Sequence, residues 1–281
     1  MSSSSITKPS AADDTLRAQI FQRLHPRVYL ERFTAEKFRP DGRTFDEWRK
    51  VSVNVGSIST ADGSALVRMG DTTVVCGVKA EVAEPDLDLP EQGFLVPNLD
   101  LPAICSPKFK PGPPTEEAQV LSDRLNEALV TSGVLSLSSL CIHPGKAVWT
   151  LYVDSTCINY DGNAFDATLL AMLAALRNTT LPKATYDEET GRTTCSRKNR
   201  SPLQLERHFA STSFGVLETS HVLSDPTAFE EPLMDVALTV IVDDHGQLIS
   251  TNESGAGISQ ETLLQCISRA KERASQLQRL L

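Results

Sequence analysis

The chain has 281 residues, 40% hydrophobic and 22% charged, with a formal net charge of -9. That is enough chain for one large domain or two modest ones around a substantial core. No apolar run approaches the roughly 20 residues of a membrane span, and the acidic balance argues against an isolated nucleic-acid binder, whose affinity rests on positive charge. RNA binding by such a chain has to come from a local patch or from a larger assembly.

The opening MSSSSITKPSAADD lacks the apolar core of a signal peptide, and residues 1–13 read as a polar, disordered tail. A helical segment is predicted over 14–43. It carries Leu16, Ile20, Phe21 and Leu24 at helical spacing, is interrupted at Pro26, continues through Val28, Tyr29 and Phe33, and ends at the turn Arg39-Pro40-Asp41-Gly42-Arg43. Residues 50–83 read as a β-meander. Val51, Val53 and Val55 alternate with polar residues, Gly63–Met69 makes a second strand, and Thr72–Val82 is apolar enough for burial on both faces. The eight prolines between 84 and 114 exclude long regular elements and predict a surface loop system.

Thr115 is placed to cap a helix running to about Thr131, with Glu116 and Glu117 in its first turn. A strand then carries Trp149, Leu151, Val153 and Cys157 on one face, turns at Tyr160-Asp161-Gly162-Asn163, and enters a helix that is apolar on nearly every side. A helix of that kind belongs inside a fold. Residues 178–210 are polar and basic and form the candidate junction between two halves. Strands are predicted at Ser211–Leu217, His221–Leu223, Leu233–Val242 and Gln247–Thr251. A last helix follows, capped by Ser259, with Leu263, Ile267, Ala270, Ala274 and Leu277 as its stripe. Each half is several strands closed by a helix, a two-domain α+β arrangement.

Few residues have the spacing of a catalytic or metal site. None of the six cysteines forms a CxxC pair or has a histidine at zinc-ligand spacing, so no metal and no cofactor is indicated, and buried free thiols in an intracellular soluble protein are expected. Gly255-Ala256-Gly257 lacks the lysine and the spacing of a phosphate-cradling loop. Glu230, Glu231 and Asp235 could be imagined as an acidic cluster, but beside Pro232 they read as exposed charge. Lys108, Lys110 and Arg124 are the basic group of interest. Arg124 lies at the edge of an apolar stripe, where it either snorkels or pairs with an acid, or points into a shared groove.

Four segments carry a family resemblance: Arg39–Arg43, the run VNVGSISTADGSALVRMGDTTVVCGVKAEV over 53–82, FKPGPPTEEA over 109–118, and YDGNAFDA over 160–167. Together they resemble the RNase PH superfamily over roughly residues 30–278, and within it the non-catalytic type of RNA exosome ring subunit. The resemblance implies two RNase PH-type domains, the first similar to the second domain of ribosomal protein S5. It divides the chain into a first domain at 44–190, a basic junction at 191–207 and a second domain at 208–281. It implies a hetero-hexameric ring of RNase PH-like subunits, S1/KH cap subunits, an associated exoribonuclease, RNA threaded through the pore, and residence in nucleus, nucleolus and cytoplasm.

Active members of the family cleave RNA from its 3′ end with phosphate. Where their phosphate loop carries Thr-Arg, this chain has Asn163, Ala164, Phe165 and Asp166, and Asp166 is expected to repel the anion. Where they carry a general-acid aspartate, this chain has Ala237. The resemblance therefore implies no catalytic residues, and an RNA contact through Lys108, Lys110 and Arg124. An active phosphate-dependent exoribonuclease is the alternative. A small-molecule kinase of the GHMP type on the same fold is disfavoured by the lack of a Gly/Ser-rich nucleotide loop.

Overall fold

The computed structural model describes residues 11–218 and 221–280. The polar tail expected over 1–13 lies outside the described residues as far as residue 10, and from Ala11 the chain is already helical in α1 (Ala11–Leu24). Pro26 opens α2 (Pro26–Ala35), a position where proline forfeits no intrahelical hydrogen bond. This second helix does not pack on the strands that follow it in sequence. Leu30 is fully buried against Leu217 and Leu223 of the C-terminal half, and Tyr29 meets Phe229 edge-on at 5.9 Å.

The predicted meander forms as β1 (Val51–Val55), β2 (Gly63–Met69) and β3 (Thr72–Ala83), paired antiparallel with Val53 opposite Val67 and Val67 opposite Val74. The sheet continues through β6 (Ala147–Asn159), antiparallel to β3, to the edge strand β4 (Phe94–Asp100), which runs parallel to β6. A short β5 (Cys141–His143) also pairs with β6. The proline-rich stretch thus does contain a regular element, contrary to expectation. Pro97 sits within β4, where an edge position leaves the missing N–H without consequence.

Between β4 and β6 comes α3 (Glu116–Ser132). Thr115 caps it by accepting from the Ala118 N–H at 3.3 Å, and Gly133 ends it in the left-handed conformation at φ +61°. Helix α4 (Ala164–Asn178) follows β6, and every residue from Ala164 to Leu176 is buried. It lies against β2 and β3 of the first sheet and against β9 of the second, which explains its lack of a polar face.

The second sheet has the order β10 (His221–Ser224), β9 (Phe209–Leu217), β11 (Val236–Asp243), β12 (Leu248–Gly255), all antiparallel. The strand expected from Leu233 starts later, because Glu231–Leu233 form a 3-10 turn. Helix α5 (Gln260–Gln278) covers β9 and β11 with Cys266, Ala270, Ala274 and Leu277 buried, and Ser259 caps it through the Thr262 N–H at 3.1 Å. Replacing Ser259 by alanine is expected to cost about 1 kcal/mol, read as a lower urea midpoint with an unchanged slope.

The basic junction expected over 191–207 is mostly β8 (Arg192–Pro202), hydrogen-bonded in a two-stranded hairpin to β7 (Thr180–Asp187). No residue of β7 other than Leu181 is buried, so no apolar alternation marked these strands in the sequence. The cysteine expectation also needs amendment. Cys76, Cys105, Cys157 and Cys266 are buried, and burial pushes the Cys76 thiol up to about 12, but Cys195 on β8 is exposed. Among the described residues no helix is long and apolar enough to cross a membrane.

Candidate functional site

Strand β6 delivers the chain to a tight turn, Tyr160–Asn163, from which α4 starts. Gly162 at φ +77° and Asn163 at φ +51° make the reversal. A Cβ on Gly162 would stand 2.5 Å from the backbone of Thr227 and Ala228, so the turn is pressed against the segment that follows β10. The site is therefore built where the two halves of the chain meet.

The start of α4 carries the positive end of the helix dipole and free N–H groups, the usual setting for an anion. Here the anion is the protein's own. The Asn163 N–H donates to Glu231 Oε1 at 2.6 Å, and the Tyr160 hydroxyl donates to Glu231 Oε2 at 2.6 Å. Burial holds the Glu231 carboxyl above its ordinary range, against the pull of these two donors, and burial with the adjacent Glu231 likewise raises Tyr160.

Asp166 is not where repulsion of an incoming anion would place it. Its side chain turns inward, where it accepts from the Ser213 N–H at 2.7 Å, the Ser213 hydroxyl at 3.0 Å and Asn163 Nδ2 at 2.9 Å. Burial raises its pKa. It ties α4 to β9, and the carboxylate facing the helix start is Glu231. Asn163 completes the link by donating from Nδ2 to Asp225 Oδ1 at 2.7 Å.

Behind this turn lies a buried ionic cluster. Asp225, with no exposed surface, accepts from Arg49 Nη2 at 2.7 Å, Arg49 Nε at 2.8 Å and the Arg49 N–H at 3.1 Å, with Arg43 Nη1 at 3.4 Å. Arg49 Nη1 reaches onward to the Asp161 carbonyl at 2.6 Å. Arg39, 1% exposed, pairs through both Nε and Nη2 with Glu230 and donates from Nη1 to the Ser224 carbonyl at 2.6 Å. The expectation of exposed charge at 230–235 thus needs correction. Glu230 is an internal partner of Arg39, Glu231 occupies the helix start, and only Asp235 lies toward the surface, paired with Arg27 at 3.0 Å. The sequence signal for the arginines was the Arg39–Arg43 turn, but a buried guanidinium and a solvated one look alike in a sequence.

In front of the turn a groove of about 540 Å³ opens between α3 and the strands β9 and β11. Ala164, Phe165 and Ala237 line it, so the loop position and the alanine position singled out in the sequence share one cavity. Arg124 also lines it. Its guanidinium stacks on the Phe165 ring at 4.7 Å and donates to Thr239 Oγ1 at 3.1 Å. Burial lowers its pKa. Lys108 sits at the rim, in an ion pair with Glu117 at 2.7 Å and over the Tyr160 ring at 5.3 Å. Lys110 lies elsewhere, exposed in a shallow depression with Asp100–Ile104. The three expected cations do not form one basic surface.

The chain matches the 3′ exoribonuclease family, domain 1 over residues 47–182 and domain 2 over residues 209–273. It is 41% identical to the exosome complex component rrp43 of Schizosaccharomyces pombe, over 90% of this chain and 94% of that one. It is 36% identical to the exosome complex component Rrp42 of Thermococcus gammatolerans, over 86% and 89% respectively. Among solved structures it superposes on a chain of the Archaeoglobus fulgidus exosome with RNA bound to the active site, with a TM-score of 0.81 and 30% identity over 94% of this chain and 98% of that one. With both domains matched in order and relatives alike over nearly their whole length, this chain belongs to the RNase PH family of 3′ exoribonucleases.

Proposed function

We propose that this chain is a non-catalytic subunit of an RNA exosome ring, supporting 3′-to-5′ RNA processing and degradation without cleaving RNA itself. The observation that carries the reading is the Glu231 carboxylate on the Asn163 N–H at 2.6 Å. A carboxylate there both consumes the amide that an inorganic phosphate needs and repels the phosphate electrostatically. Phe165 and Asp166 supply no anion-binding group in compensation, and Ala237 in the groove has no proton to give. The anion site at the helix start and the general acid, two main sources of rate in such a transfer, are both missing in this reading.

In this reading the chain takes one position in a ring of RNase PH-like subunits, closed by S1/KH cap subunits, joined by a separate exoribonuclease and threaded by RNA, in nucleus, nucleolus and cytoplasm; relatives named as exosome components, and an exosome structure with RNA bound, support its exosome and RNA parts. Contact with RNA falls to the proline-rich loop, where Lys110 is exposed and makes no ion pair among the described residues, and Lys108 can exchange Glu117 for a phosphate.

Incubating the purified chain with 3′-extended RNA and inorganic phosphate is expected to release no nucleoside diphosphate. Robust release would mean an active phosphorolytic enzyme and end this reading. Native mass of the complex isolated through this chain checks the assembly: a set of different subunits agrees with it, and a homohexamer contradicts it.

A further inference from the structure

The groove in front of α4 is open, largely apolar and divided in charge. Its α3 wall presents Glu116 and Glu117 at the helix start, then Val120 and Leu121, then Arg124. Eight residues of helix separate Glu116 from Arg124, about 12 Å at the helical rise. The facing wall contributes Phe214, Met234 and Leu238. Val120 leaves 51% of its surface exposed on this wall, apolar area that a bound side chain could cover.

Each charged end lacks something. Arg124 meets the Phe165 face and one hydroxyl, and no carboxylate lies within ion-pair distance of it among the described residues, although burial has taken much of its hydration. Most of its five donors remain to be filled. Glu116 has no ion pair among the described residues, and Glu117 shares the single Lys108. A polyanion would bring phosphates against Glu116, Glu117 and Glu231. A neutral ligand would leave both ends unmatched.

We propose that this groove receives an extended segment of a protein partner: a lysine or arginine meets Glu116 and Glu117, an aspartate or glutamate about four residues away meets Arg124, and aliphatic side chains between them fill the apolar middle. An extended chain advances about 3.3 Å per residue, so four residues cover the distance between the two charged ends. The aliphatic side chains would cover Val120, Leu121 and Met234, while the ion pairs set the register.

The test uses the full chain and fluorescence anisotropy with labelled Lys-Leu-Val-Leu-Glu and its reverse, Glu-Leu-Val-Leu-Lys, both blocked at their ends, since the walls do not fix chain direction. A Lys-Leu-Val-Leu-Lys peptide and a ten-residue oligouridylate serve as competitors. One bipolar peptide is expected to bind more tightly than Lys-Leu-Val-Leu-Lys. Arg124→Glu should weaken it on the order of tenfold or more. The same variant should then prefer the Lys-Leu-Val-Leu-Lys peptide, a gain that a misfolded protein could not produce. Equal binding of all peptides, indifference to Arg124→Glu, or displacement by the oligouridylate would overturn the proposal, the last by assigning the groove to RNA. The catalytic question is separate, because neither peptide outcome alters what the phosphate assay reads.

Discussion

Replacing Asp225 by alanine is expected to lower the thermal unfolding midpoint by about 10 °C or more. The carboxylate has no exposed surface and receives three hydrogen bonds from Arg49 and one from Asn163, with Arg43 close by. Deleting it leaves two largely buried guanidinium groups short of their partner, a change that typically costs about 3–5 kcal/mol, or roughly 2–4 °C per kcal/mol in a chain of this size. The loss should be larger than the hydrogen-bond count alone suggests, because Asp225 joins the N-terminal segment, the α4 turn and the end of β10 at one point.

The same residue predicts a pH dependence. Burial by itself would raise the Asp225 pKa, but the Arg49 hydrogen bonds and charge, with Asn163, outweigh burial and hold it below the ordinary value. Its contribution is therefore complete above the unfolded carboxylate value, near about 4, and is lost as pH falls through the lower native value. Acidification below about pH 4 should destabilise the parent through this group, and the alanine variant should lack that component. A midpoint within about 2 °C of the parent at neutral pH would show that the cluster contributes little.

Gly162→Ala is the second large effect. The added Cβ would stand 2.5 Å from Ala228 N and Thr227 C and 2.9 Å from Pro226 O, all backbone, at a residue whose φ is +77°. Left-handed strain adds about 1–2 kcal/mol and the forced separation about 1–3 kcal/mol. Urea unfolding should show a loss of about 2–5 kcal/mol, because the backbone on both sides of this contact is held by hydrogen bonds and cannot retreat cheaply. Retention of the parent midpoint would mean that the two halves are not pressed together here.

Several elements were legible because their cause is local. Thr115 and Ser259 announce helix starts through a side-chain oxygen that reaches a backbone N–H three residues on. Alternation marks β1 and β2, and the sequence of α4, apolar on nearly every side, predicts its burial inside the fold. Elements with no periodic signature were not visible: β4 runs through Pro97 at a sheet edge, and the β7–β8 hairpin has little buried face. The site divides the same way. Phe165, Asp166 and Ala237 stood out as departures from a family pattern, but the inward turn of Asp166 toward Ser213 depends on a strand 47 residues away.

The amino-acid sequence by itself determined the two-domain α+β architecture, the family, and the position of the turn before α4 with the residues Asn163, Ala164, Phe165 and Asp166 that occupy it. The family follows from the resemblance of four motifs, and the rest from periodicity and capping chemistry, which act over a few residues. Only the tertiary structure decided that Glu231 fills the start of α4, that Asp225 gathers Arg43, Arg49 and Asn163, and that Arg124 lines a groove with an acidic opposite end. Each of these joins residues far apart in the chain, and whether a charge is buried and paired or solvated is set by the neighbours that folding brings to it.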